Sequence, residues 1–350
     1  MYTKILAINL FEKLGEARRN GANPVIPILS LNASRNLVEG IVVNSSSDQQ
    51  GPDEYSVEKN LALMQTVQRR LSLPVVMQFM NLTIIPQAVR DANPTVGINE
   101  TTDFSQLNPI DWRRDPKLTQ VINLMNAAHE SSDVPVIAMG VGANTLLSML
   151  VGHENYCCLP FQVGPPDTPT NEFEEDPYFK GRIDYAIATL SHWHEALKYS
   201  SVAGVVIAEP TLSTNFTSPN MVNTFGPLFL NPVFQNLRNL NMLSVLHICG
   251  SIQKILNPMA GARANGYSME EENMIGAAKV LPGIMFGNQN PSELARETPA
   301  LIRSTAEKWS RSVAPLTAEG RVVPSTGCQV TGSPSEAQFE AWIDGSRPAL

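Results

Sequence analysis

The chain has 350 residues, 43% of them apolar and 17% charged, with a formal net charge of -8. Its 25 basic residues form no long run, which argues against a phosphate-binding surface and hence against a nucleic-acid partner. No stretch reaches the roughly 18–20 consecutive apolar residues of a membrane span, so a globular core is expected and no membrane span.

The chain opens with "MYTKILAINLFEKLGEARRNGANP", a mixed helical segment with charges spread through it, unlike a basic region followed by an apolar one. Residues 1–23 are therefore taken as an N-terminal helical lead-in, and a cytoplasmic location is expected. Strand-length apolar runs follow: "PVIPILSL" from Pro24, "LVEGIVV" from Leu37, "LPVVMQFM" from Leu73, "VPVIAMGV" from Val134 and "VAGVVIAE" from Val202. Four more are "MLSVLHIC" from Met242, "ANGYSM" from Ala264, "PGIMFGN" from Pro282 and "GRVVPSTGC" from Gly320. Most do not alternate with polar residues, which suits strands buried on both faces of a parallel sheet.

Between the runs lie amphipathic stretches at 56–71, 117–130, 177–200, 220–240, 252–260 and 291–309. Strand then helix, about eight times over, is the pattern of a (β/α)8 TIM barrel. A doubly wound open sheet is the competitor, but no glycine-rich phosphate fingerprint follows an early strand. Stretches 44–55 and 159–177, rich in Ser, Pro and acids, are long enough to be loops over the mouth of a site. With no repeat or linker, residues 1–350 are expected to form one barrel domain.

In such a barrel the chemistry belongs at the C-terminal ends of the strands. The polar residues that close the apolar runs are Glu209, His247 and Cys249, Glu270 and Glu271, Asn288, and Cys328. Residues two apart on a strand share a face, so His247 and Cys249 can both turn into the mouth. Cys328 offers a third donor, giving a His/Cys/Cys set of the kind that holds catalytic Zn2+ with one position left open. Isolated buried Cys and His residues are ordinary core residues; three candidate donors at strand ends outweigh that reading.

Only four cysteines occur, Cys157, Cys158, Cys249 and Cys328, and reduced thiols free to bind metal are expected. Glu270 stands where a strand ends, so it or a neighbouring carboxylate either faces the metal or begins a solvated helix. Glu209 has two readings, a site residue that positions or relays a proton and a strand-end ion pair. His192 and His194 lie about 200° apart around a helix axis and cannot share a metal; surface and core positions are expected for them, respectively.

The segments "VLHICGSIQKILNPMA", "GYSMEE", "GIMFGNQNP" and "PSTGC", with "IAEPTLSTNFTSPNMVNTF" upstream, resemble the zinc methyltransferases of the uroporphyrinogen decarboxylase superfamily. In particular they resemble its methylcobamide:coenzyme M methyltransferases, from about residue 177 onward. The resemblance implies a uroporphyrinogen decarboxylase-like (β/α)8 barrel with zinc ligands at His247, Cys249 and Cys328 and a fourth, acidic ligand at Glu270 or Glu271. From their places at the strand ends, Glu209, Glu270 and Asn288 are the expected catalytic positions. The resemblance also implies methyl transfer from a methylcobamide, carried by a separate corrinoid (cobalamin-binding) protein, to a small thiol substrate such as coenzyme M. The rival functions are a donor-side corrinoid methyltransferase (O- or N-demethylation), a uroporphyrinogen decarboxylase-like lyase, and a non-enzymatic zinc-stabilised scaffold.

Overall fold

The structure, a computed structural model, describes residues 10–29, 31–39, 56–153, 177–270, 273–330 and 332–348. Among these residues seven strands form one parallel sheet: β1 (Val76–Met77), β2 (Val136–Val141), β3 (Gly204–Ala208), β4 (Leu243–Ile248), β5 (Gly266–Met269), β6 (Ile284–Gln289) and β7 (Val322–Thr326). Spatial order equals chain order, so each strand pairs with the next one in sequence and the helices between them supply the crossovers. Every residue of β2, β3, β4, β5 and β7 is buried, which is why these runs lack polar alternation.

Two layers of core flank the sheet. Val205, Ile207, Leu246, Ile248, Tyr267 and Met285 pack outward against the helices. Ile137, Met139, Val206, Val245, Phe286 and Val323 point the other way, into the interior enclosed by the sheet. The period of two along a strand then assigns His247 to the interior face with Val245, and Asn288 to the same face with Phe286.

The expected closed eight-stranded barrel is replaced by a TIM-barrel-like arrangement with a seven-stranded sheet. Among the described residues the first apolar run makes only two isolated parallel bridges, Ile26 to Ser325 and Leu29 to Val330. Across its other side Met80 N–H donates to the Leu29 carbonyl at 3.2 Å. The segment occupies the gap between β7 and β1, but Pro24 and Pro27 have no N–H to give a ladder. The second expected strand is a correction too: Leu37 to Glu39 end the helix Leu31–Glu39, whose buried Ala33 and Leu37 are four apart, while residues 40–43 lie outside the described residues.

Five of the six expected helices fall within a few residues of their predicted bounds; the sixth, 291–309, is split into Pro291–Arg296 and Pro299–Ser312. Pro299 starts a fresh helix, with Thr298 accepting the Leu301 N–H as its cap. The helices Ile84–Ala92, Ala143–Val151, Met274–Ala278, Ala314–Ala318 and Glu336–Gly345 add to those read from sequence. No helix among the described residues is long and apolar enough to cross a membrane.

Of the N-terminal lead-in, the helix Leu10–Arg19 is described, and it plugs the end of the sheet where the strands begin. Phe11 stands edge-on to Phe286, ring centroids 5.2 Å apart, within the interior core layer. Gly15 touches the Gly320 carbonyl just ahead of β7, where any side chain would collide. The opposite end, where the strands finish, carries the polar residues singled out above.

Candidate metal centre

His247 is the penultimate residue of β4 and is wholly buried. In register it faces Ser268 on β5, whose Oγ is 3.0 Å from His247 Nδ1. The other ring nitrogen, Nε2, is 3.0 Å from Cys249 Sγ. Burial pulls the ring's pKa down to about 4, with a contact to the Ser268 backbone acting in the opposite direction, so the imidazole is neutral near pH 7. A neutral ring is the form that donates a lone pair to a metal.

Cys249 follows β4 directly and is succeeded by Gly250 at φ +72°, a left-handed turn that also brings the backbone against Asn215 and Ser213. Cys328 arrives from β7, 79 residues later, and the two Cα atoms are 5.7 Å apart. The two sulfurs are joined as a disulfide, where reduced thiols were expected. A Cα separation in this range permits that bond.

The ligand atoms of His247, Cys249 and Cys328 all lie within 4.8 Å of one another. Tetrahedral zinc with N and S donors needs them roughly 3.3–3.8 Å apart. The donor set suits zinc in its chemistry, with one neutral imidazole and two cysteines that become thiolates on reduction, and the sulfurs must part from their bonded distance to reach that spacing.

Glu270 stands one residue removed from this cluster. Its Oε2 accepts the Gly250 N–H at 2.9 Å, and its stem fills the space beside Gly327, so it sits between the neighbours of both cysteines. It is not within the group whose donor atoms converge. Glu271 lies outside the described residues. Asn288 pairs in register with Ser325 of β7 and is half-buried on the interior face.

Among the described residues Glu209 makes no ion pair; its carboxylate closes the N-terminus of the helix Ala143–Val151. Oε1 accepts from Asn144 N–H at 3.0 Å, and Oε2 from Thr145 N–H at 2.8 Å and the Thr145 hydroxyl at 2.7 Å. Burial pushes this carboxyl up to about 7, against the pull of those hydrogen bonds. His194 is buried and His192 exposed, as expected. His153 Nδ1 lies 3.0 Å from Ser148 Oγ, far along the chain from the triad. Cys157, Cys158 and the stretches 44–55 and 159–176 are outside the described residues. Sequence reasoning missed Ser268; a serine at the interior-facing position two before Glu270 was the available signal.

A parallel α/β sheet with a converging His/Cys/Cys donor set at its strand ends defines the class: a TIM-barrel-like α/β protein with a candidate metal site. Within it, the profile of the uroporphyrinogen decarboxylase (URO-D) family matches residues 71–347, and the chain belongs to that family. It is similar to a methylcobamide:CoM methyltransferase, MtaA, of Methanosarcina barkeri, with 24% identity over 166 residues. That alignment covers 47% of this chain and 44% of the relative, so the chain spans less than half the length of the curated relative it matches.

Among solved structures it is similar to a methyltransferase from Methanosarcina mazei, with a TM-score of 0.66 and 19% identity over 96% of this chain and 97% of that one. A B12-independent methionine synthase from a Shewanella species follows at TM-score 0.61 and 12% identity, covering 93% and 97%. At these identities the likeness is one of fold.

Proposed function

We propose that the chain is a zinc-dependent methyltransferase that moves a methyl group from a methylcobamide, carried on a partner corrinoid protein, to a small thiol such as coenzyme M. The observation that carries the reading is the convergence of His247, Cys249 and Cys328 within 4.8 Å at the strand ends. Membership of the URO-D family and the similarity to MtaA support it. Bound zinc would supply a Lewis acid that holds the acceptor sulfur in its ionised, nucleophilic form.

The residues of the chain do the rest. Neutral His247 presents Nε2, and Cys249 and Cys328, when reduced, present thiolates. Glu270, released from its hydrogen bond to Gly250, would complete the donor set as a fourth ligand or take the acceptor's proton at Oε2. Glu271 is the alternative at that position. Asn288 offers an amide to the acceptor from the interior face. Glu209 holds the helix Ala143–Val151 at the mouth and so acts through the frame, not on the reacting atoms. The apolar interior below, with Val206, Val245 and Phe286, keeps water from reaching the donors from beneath. The mouth above is where the corrinoid protein docks.

The test starts from reduced, zinc-loaded protein mixed with methylcobalamin and candidate thiols, followed by the cobalt absorption. Cys328→Ala is expected to lose its zinc and to slow thiol methylation on the order of 100-fold or more. Full activity in that variant rejects the reading. The match of the URO-D profile over residues 71–347 favours a second reading, decarboxylation. That reaction calls on none of the three donors, so Cys328→Ala would leave it intact.

A further inference from the structure

Ser268 is built against His247. The two residues are register partners on β4 and β5, both are buried, and Ser268 Oγ is 3.0 Å from His247 Nδ1. A ring that gives the Nε2 lone pair to a metal must carry its proton on Nδ1, and a buried N–H needs an acceptor. With Nε2 turned to Cys249, Nδ1 is the nitrogen left for that bond.

The surroundings leave the serine hydroxyl little else to bind. Ser268 lines a small interior cavity of about 20 Å³ whose other walls are almost all apolar, among them Phe11, Met77, Val206, Val245 and Phe286. The one other polar side chain there, Ser325, donates its hydroxyl to the Ile26 carbonyl at 2.6 Å. A hydroxyl facing hydrocarbon, with an imidazole nitrogen at hydrogen-bond distance, is committed to that nitrogen.

We propose that Ser268 is the positioning residue of the metal centre: its hydroxyl accepts the Nδ1–H that His247 carries once Nε2 is given to a metal, and so holds the ring in place as a donor. The proposal rests on the reading of the triad as a zinc site.

Ser268 lines this cavity, and a shape-matched pair of substitutions there separates the hydroxyl from packing. Ser268→Thr keeps the hydroxyl, Ser268→Val has the same outline without it, and both retain the backbone at this position. Reduced protein is loaded with zinc and titrated with a competing chelator, and a Co2+-substituted sample is read by its visible absorption. Ser268→Thr should hold zinc close to wild type, while Ser268→Val and Ser268→Ala should bind on the order of 10- to 100-fold more weakly and show an altered cobalt spectrum. Thermal melts confirm that each variant is folded.

Equal zinc affinity and equal cobalt spectra for the Thr and Val variants overturn the proposal while leaving the zinc reading standing. Parallel loss in both overturns it too, because packing and not the hydroxyl would then govern the site. Reduced wild-type protein that takes up no metal overturns the zinc reading itself, and this proposal with it.

Discussion

A carboxylate as deeply buried as that of Glu209 prefers its neutral form inside the fold, and burial raises it from 4.5 to about 7. The folded chain therefore binds this proton more tightly than the unfolded one. The stability it contributes is fully present below about pH 4.5 and is lost as the pH rises through about 7. Glu209→Gln removes the proton and leaves a buried N–H or hydroxyl of Asn144 or Thr145 short of an acceptor, at a cost of about 1–3 kcal/mol. Denaturant unfolding across pH 4 to 9 should show wild type losing ground against the Gln variant up to roughly pH 7 and a constant gap above it. A gap that does not vary with pH would contradict the burial argument. Such a role was not legible in the sequence, where Glu209 simply closes an apolar run. The residues it binds lie some 65 positions away, in the first turn of the helix Ala143–Val151. His247, Cys249 and Cys328 stood out because cysteine is scarce here and H-x-C has strand spacing. Ser268 did not stand out, since serine is common and the register of β4 against β5 leaves no mark on either strand.

Among the elements, β2 to β7 were readable because continuous Val- and Ile-rich runs have few other destinations in a chain of this pattern. The first run misled for a reason contained in it: two prolines in "PVIP" deny the ladder its donors, so the segment lies in place without pairing regularly. The helix Ala143–Val151 escaped notice because eight of its residues are buried, which erases the amphipathic stripe by which helices are recognised. The plug helix Leu10–Arg19 was expected as a lead-in, but its role depends on a contact that spacing does not reveal, the approach of Gly15 to the Gly320 carbonyl. Gly15→Val forces a branched side chain into that backbone. It should cost about 1–3 kcal/mol in chemical denaturation, with the plug loosening as a unit. Wild-type stability in this variant would show that the helix is not seated as described.

At the scale of the whole molecule, Arg18 joins the plug to the distal part of the chain. Its guanidinium is fully buried, donates to the Ser346 carbonyl at 2.8 Å and to Asn23 at 2.9 Å, and lies 5.4 Å from the Trp309 ring centroid. Burial lowers it to about 10, still charged at pH 7. Arg18→Ala leaves two acceptors unfilled and is expected to lower stability by about 1.5–3 kcal/mol, read as a fall in thermal midpoint; no fall would mean that the clamp carries no energy. The bond from Arg18 to Ser346 spans 328 residues of sequence. During synthesis Arg18 leaves the ribosome long before the carbonyl that accepts from it exists. At roughly 5–20 residues per second the wait is on the order of tens of seconds. The helix made early is thus seated late, and for that interval Phe11 and its apolar neighbours are a segment for a chaperone to shield.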